Sequence, residues 1–461
     1  MENTFNRKPI ILLLLSGGFI SILNQTLMIT AIPPIMKEMG VSANTGQWLT
    51  TIFMLVNGIM IPITAFLIER YTTRQLFTTA MGVFTLGTLF AAFAFDFNTL
   101  IFGRVIQSIG AGIMMPLMQS VFLFMFPIRK RGMAMGLVGL VISFAPALGP
   151  TISGWIITTF SWRAVFYMIL PIGILEVLIG LKVMKNVTKL TYPKLDILSI
   201  ILSSFGFGGL LYGFTSAGNN GWGSISTITS LVIGVISLTV FILRQLRLRV
   251  PMLEFRVFKN PIFTLSVILP MIAFLGLIGT ETLIPLYMQN MRDFSAMESG
   301  LAILPGAIIN GMMSPITGKI FDQYGAKWLS IIGFTIITIS TIAFTNLGIA
   351  TSMLTITILY AIRMFGISMV MMPATTAGLN QLEEKLIPHG VAMTNTLRQV
   401  AASIGTAVLV TVMTITTTTA QSNPNIEHPS IHGVNVAFIV LTAISALGII
   451  LSFFIEKSKR N

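Results

Sequence analysis

The chain has no cysteine among its 461 residues, only three histidines, and 15 acidic residues against 28 lysines and arginines. Without thiols it can form neither a disulfide framework nor a thiolate metal centre. His389, His428 and His432 fall in segments that read as loops, and no carboxylate cluster joins them, so no metal site is expected. Charge of either sign is scarce, at 9% of residues against 54% hydrophobic, with a mean hydropathy of +0.87. A soluble fold of this length must present a polar exterior, which this composition cannot supply. Also missing are a Ser/His/Asp constellation and a phosphate-cradling glycine loop, so the sequence gives no enzyme and no cofactor. Work done by such a chain must draw on an ion gradient.

What the chain does contain is a series of fourteen apolar stretches between Ile10 and Ile455, each about 20 residues long and separated by short polar breaks. About 20 helical residues cross a hydrocarbon core of about 30 Å. The expected fold is therefore an all-α membrane protein with fourteen transmembrane helices. The formal charge of +13 is unevenly spread. With the N-terminus inside, the inner segments hold about 22 of the 28 basic residues, including Arg7-Lys8, Arg129-Lys130-Arg131, the Lys182 to Lys194 loop, Arg244 to Lys259 and Lys457 to Arg460. The outer segments hold Lys37, Arg163 and Arg292. Such a bias sets topology, with both termini in the cytoplasm of a cell-membrane protein. It argues for contact with anionic lipid and against nucleic acid. The basic connection Arg244 to Asn260 is expected to lie along the inner membrane surface, and the polar connection Thr417 to His432 outside.

Two segments repeat about 253 residues apart. Ala65-Phe-Leu-Ile-Glu69-Arg70-Tyr-Thr-Thr-Arg74 follows the second span, and Gly318-Lys-Ile-Phe-Asp322-Gln-Tyr-Gly325-Ala-Lys327 follows the tenth. A weaker echo pairs Arg104…Met114-Met115-Pro116 with Arg363…Met371-Met372-Pro373. Parallel halves of this kind read as a transporter with its site between them. The expected division is a six-helix bundle over 1–190, two linking helices over 191–245 and a second six-helix bundle over 246–461.

These residues resemble the major facilitator superfamily, and specifically its fourteen-span drug:proton antiporters of the EmrB/QacA type. Gly318, Asp322 and Gly325 match the family's loop motif well, whereas the first copy is degenerate, with Ala65 for Gly and Glu69 for Asp. Arg104, Gln107 and Gly110 match the fourth-span motif, and Pro146, Gly149, Pro150 and Gly154 the antiporter motif of span five. The resemblance implies that Glu69 with Arg74, and Asp322 with Lys327, relay charge at the inner face. It also implies that span five seals the halves together when the site faces out. In one respect the chain departs from the family: Asn24 stands where an aspartate often serves as proton site.

Five ionisable residues fall well inside spans: Arg104, Glu176, Glu281, Arg363 and Arg398. Each would cost about 2.5–3.5 kcal/mol at a helix centre, so each needs a reason. Glu281, Glu176 and, by resemblance, Arg104 are the candidates for proton coupling. Arg363 and Arg398 read as ties between helices that border the cavity, and Asn24, Gln25, Asn57, Gln107, Asn310, Asn395 and Gln399 as its polar lining. The expected function is proton-driven export of amphipathic, often cationic antimicrobial compounds and dyes by a monomer. The alternative is a specific exporter of one endogenous metabolite, siderophore or lipid.

Overall fold

The computed structural model describes residues 7–455, save the side chains of 43 and 44; the basic tail at Lys457, Lys459 and Arg460 lies outside them. Fourteen helices follow one another: α1 (Arg7–Met39), α2 (Ala43–Arg70), α3 (Thr73–Ala92), α4 (Phe97–Met125), α5 (Arg131–Thr159), α6 (Trp162–Val183), α7 (Ile197–Asn220), α8 (Ile225–Arg247), α9 (Pro261–Arg292), α10 (Ala296–Tyr324), α11 (Ala326–Phe344), α12 (Met353–Leu379), α13 (Ile387–Gln421) and α14 (Pro429–Ser452). Each is long and apolar enough to cross a membrane. Hydrocarbon offers no partner to a bare peptide group, so the chain satisfies its backbone within helices and turns in the polar breaks. Those turns carry local signals. Ser42, Thr72, Asp96, Asp196, Ser224, Ser295 and Ser352 each cap the helix that follows, accepting a backbone N–H with the side chain. Gly325 joins α10 to α11 at φ +81, a left-handed conformation that favours glycine and explains its place in the repeated motif.

With fourteen crossings, Arg7 and Ile455 emerge on one face, here called the terminal face. α1 packs on α2, α4, α5 and α6, while α9 packs on α12, α13 and α14. The first six and last six helices meet along two seams, α5 against α10 and α2 against α13. α7 lies on the α2–α13 seam: Leu211 fills the space beside Gly58, Trp48 stacks on Tyr212 at 5.7 Å, and Trp222 donates to Thr411 at 2.7 Å. α8 pairs with α7 through Gly209 and Gly234 and turns Ile225, Val235 and Ile236 outward. The expected boundary at 245 falls within the last turn of α8. A bidentate pair from Arg244 to Asp196, at 3.0 and 3.1 Å, ties the base of this hairpin.

The α5–α10 seam is built from small residues. A Cβ on Gly132 would lie 2.4 Å from the Gly318 carbonyl, and one on Gly136 2.5 Å from that of Ser314. Phe144 fills the space beside Gly311. Lipid tails are as apolar as leucine, so helices associate by close packing, and glycine permits the closest approach. Span five, which the resemblance implies as the seal, does join the two groups, but through the turns before its antiporter motif. Gly149 faces Thr26 of α1, Ser153 donates to the Leu27 carbonyl at 2.7 Å, and a Cβ on Gly154 would meet nothing. The motif thus joins α5 to its own group, and the turns before it join the two groups.

The basic connection after α8 also differs from expectation. Instead of lying on the membrane surface it is tucked into the protein, with Met252, Leu253 and Val257 buried and Gln245 accepting the Met252 N–H at 2.7 Å. Four apolar or uncharged anchors outweigh the basic pattern, whose charges sit on the rim. On the opposite face, α13 runs on to Gln421, so the polar connection is shorter than expected.

Gly136→Leu is expected to force α5 and α10 apart and to destabilise the protein by about 1–3 kcal/mol, the usual cost of overpacking. Thermal unfolding in detergent reads this as a lowered Tm; an unchanged Tm would mean that the seam is loose.

Candidate functional site

At the terminal face the two copies of the repeat do related work by different chemistry. The Asp322 carboxylate, at the end of α10, accepts the backbone N–H groups of Gly132 at 2.7 Å and Met133 at 2.9 Å. These are orphan donors of the first turn of α5, where the helix dipole also favours an anion. Through the offset of 253 residues the counterpart of Asp322 is Glu69, at the end of α2. It reaches His389, in the first turn of α13, at 3.0 Å. Here Pro388 supplies no N–H, and the imidazole stands in for the backbone donors. His389 Nδ1 accepts the Glu254 N–H at 3.3 Å, so the neutral ring protonated on Nε2 fits both contacts. His389 is therefore a buried helical latch rather than a loop residue.

The expected relay from Glu69 to Arg74 is not the pairing present: Arg74 is exposed, and Arg70 instead holds the Pro193 carbonyl at 2.9 Å. Two further bonds tie the groups together on this side, Arg131 to Asn380 at 3.0 Å and Asn395 to Gln119 at 2.7 Å. A cleft of about 790 Å³ opens between them, lined in part by Arg7, Arg131 and Glu384. The terminal side is thus latched at several points.

Deeper in, the arginine echo is a structural repeat. Arg104 of α4 is fully buried, donates to the Leu49 carbonyl at 3.2 Å and to Gln107 at 2.7 Å, and lies 4.2 Å from the Phe53 ring centre. Gln107 passes the link to Thr88 of α3 at 2.8 Å. Arg363 of α12 donates to Thr341 of α11. Thr88 and Thr341 are again 253 residues apart. Arg363 binds α12 directly to α11, whereas Arg104 ties α4 to α2 and reaches α3 only through Gln107.

The groups then diverge. The counterpart of Phe53 is Gly306, and the space beside it is filled by Tyr360. That tyrosine donates its hydroxyl to Glu281 of α9 at 3.3 Å. One turn from Tyr360, the Arg363 guanidinium packs on Gly276 of α9. Glu281, Tyr360 and Arg363 thus form one cluster at the α9–α12 contact, with Glu281 half-buried. α1 and α9 each make their close packing within their own group, and the groups meet at the two seams.

The remaining sequence candidates are spread over several helices. Gln25, Asn57 and Gln399 are half-buried, whereas Asn24, Asn310 and Asn395 are buried. Asn24 has neither amide atom partnered. Arg398 of α13 lies over Phe274 of α9, 5.0 Å from the ring centre. Gln107 is consumed by Arg104 and Thr88. Glu176 is brought to neither seam: it is buried on α6 near Ser16 of α1, one carboxylate oxygen unpartnered. Sequence reasoning missed Tyr360, Gln119, Asn380 and His389. A glutamine fifteen residues from Arg104 in an apolar helix was a signal for Gln119. The other three needed the fold.

The comparisons with known proteins agree with this architecture. The profile of the Major Facilitator Superfamily matches residues 14–406. An uncharacterized MFS-type transporter of Bacillus subtilis, YcnB, is 55% identical over 100% of this chain and 97% of its own length. The lincomycin resistance protein LmrB of Listeria innocua is 45% identical over 98% and 97%, and the multidrug export protein EmrB of Haemophilus influenzae 29% identical over 84% and 77%. The crystal structure of human MFSD10 (TETRAN), an organic anion transporter, superposes with a TM-score of 0.69 over 97% of this chain and 100% of that one. At 12% identity that likeness shows the fold alone. The chain is a multi-pass membrane transporter of small molecules. It belongs to the Major Facilitator Superfamily, among the relatives of the EmrB-type drug exporters.

Asp322→Asn removes the anion from the α5 N-terminus and is expected to weaken the latch by about 1 kcal/mol, within the range for a charge at a helix end. The chain has no cysteine, so a single Asn380→Cys reporter is clean. Its maleimide labelling should rise severalfold in the Asp322→Asn background; equal rates would exclude the latch. Glu176→Gln, by contrast, is expected to keep transport within threefold of wild type in a vesicle efflux assay, whereas a large loss would restore Glu176 to the coupling machinery.

Proposed function

We propose that the protein is a proton-coupled exporter of amphipathic antimicrobial compounds and dyes, cationic ones included, from the cytoplasm across the cell membrane. The observation that carries this is the Glu281–Tyr360 pair at the α9–α12 contact, inside the apolar span of the helices. A carboxyl held there by one neutral hydroxyl can take up a proton and lose it as the helix groups open to either side. The names of the relatives LmrB and EmrB support the choice of drugs as cargo. The basic loops of the terminal face support its assignment to the cytoplasm, with both termini inside.

On this reading the structure has its cytoplasmic side closed, and rocking of the bundles 1–190 and 246–461 must break the Asp322 and Glu69 latches. Asn24 carries no proton, so Glu281 is the coupling acid, and Arg104 acts through the packing of α4. A proton entering against a leaving monovalent cation moves no net charge, whereas a second proton would add about 2.3 kcal/mol per 100 mV.

The test uses purified protein in liposomes enclosing a pH-sensitive dye, with ethidium added across an imposed pH gradient. Ethidium should trigger proton movement in wild type, and Glu281→Gln should abolish it, a loss of at least tenfold. Unchanged proton movement in Glu281→Gln would remove Glu281 from the mechanism, and none in wild type would send the function toward a specific exporter or another ion.

A further inference from the structure

The three intramembrane arginines are not equivalent. Arg104 holds a carbonyl, an amide and an aromatic face, and Arg363 holds a hydroxyl although its Nε and other Nη are also buried without a partner. Arg398 is only 6% exposed, yet among the described residues it makes no hydrogen bond, and its Nε and one Nη are buried without a partner. A buried cation left unpaired is costly, and helices that keep one do so for a counter-ion. Among the described residues the chain does not supply that counter-ion. Among the helices packed on α13, the acidic residues are Glu281 on α9 and Glu69 on α2. The first accepts from Tyr360 and the second is engaged with His389 at the terminal face.

The surroundings of Arg398 suit an aromatic ligand with an acidic group. Phe274, half-buried, offers its ring beside the guanidinium. Asn395, one turn earlier on α13, is fixed by Gln119, and Gln399 is half-buried next to it. Glu281 follows Phe274 by seven residues, so both lie on one face of α9, about 10 Å apart at 1.5 Å rise per residue. A planar guanidinium matches a carboxylate bidentately and tolerates an apolar setting better than an ammonium does.

We propose that Arg398, Phe274 and Asn395 form a subsite for the carboxylate of an amphipathic aromatic acid, with Arg398 as the residue that selects for it. The inference rests on the export reading in placing this subsite on the transport path. It also alters the charge balance of the cycle: an anion leaving against one entering proton moves two charges, so export of an acid responds to membrane potential where one-for-one export of a cation does not.

The experiment measures binding of a matched pair, pyrenebutyrate and pyrenebutanol, to the full chain in phosphatidylcholine nanodiscs by equilibrium dialysis, with empty nanodiscs as the blank. Wild type should bind the carboxylate at least tenfold more tightly than the alcohol. Arg398→Gln should abolish that preference while leaving the alcohol within threefold, and Arg398→Lys should retain part of it. Equal binding of both probes by wild type overturns the proposal, as does a parallel loss of both in Arg398→Gln, which would mark a merely structural role. Should Arg398→Gln fail to fold, the wild-type preference and its reduction in Arg398→Lys still decide. A preserved preference with no proton movement in liposomes would sink the export reading and leave the subsite standing.

Discussion

Everything in this molecule turns on how closely α5 and α10 approach where glycine faces a backbone carbonyl. In water, burying apolar side chains would hold two such helices together; in hydrocarbon that drive is gone, and contact must be made atom against atom. Gly132, Gly136 and Gly318 meet this condition by having no side chain to hold the helices apart. A seam of this type can part and re-form, because parting exposes small, apolar, internally hydrogen-bonded surface that lipid tolerates. The charged groups lie at the helix ends of the terminal face: Asp322 on the first turn of α5 secures this seam, and Glu69 on His389 secures the α2–α13 seam. Close packing along the helices and polar contacts at their ends thus hold the groups together in two different ways.

The repeat shows how a duplicated scaffold acquires one chemical centre. Thr88 and Thr341 stand at one offset, as do Glu69 and Asp322, and each threonine takes a link from the arginine of the neighbouring helix, through Gln107 in the first group and directly in the second. At the next layer the correspondence fails. Phe53 covers the Arg104 guanidinium with an apolar ring, while Gly306 leaves room for Tyr360, whose hydroxyl turns toward a carboxylate. The first group closes its arginine off, and the second joins its arginine to an ionisable cluster.

How far this was readable depended on range. Fourteen helices and the terminal-face motifs follow from hydropathy and from residues adjacent in sequence, and they stand where the sequence puts them. Pairings across the fold do not. Glu69 was matched to Arg74 through the family resemblance, but the chain turns between α2 and α3, and His389, 320 residues on, fills the place. Span five was expected to join the groups and does, but through Gly132 and Gly136, while Gly149 faces Thr26 of α1. A helix has several faces, and periodicity does not say which partner each one meets. The basic connection after α8 was judged by its charges, while Leu253 and Val257 decided its path.

The intramembrane polar groups sort by what remains unsatisfied, and that ordering bears on mechanism. Asn24 is fully buried with both amide atoms unpartnered, in the first helix of the chain, where the family often keeps an acid. An amide preserves much of the shape and polarity of a carboxyl but can neither carry a proton across nor balance a cation. On the proposed mechanism the chemistry such an acid would perform falls to α9 and α13, neighbouring helices that carry Glu281 and Arg398. A carboxyl that can be neutralised and a guanidinium that stays charged would then place complementary requirements on a cargo: the first would set when it is released, and the second which charge it must bring.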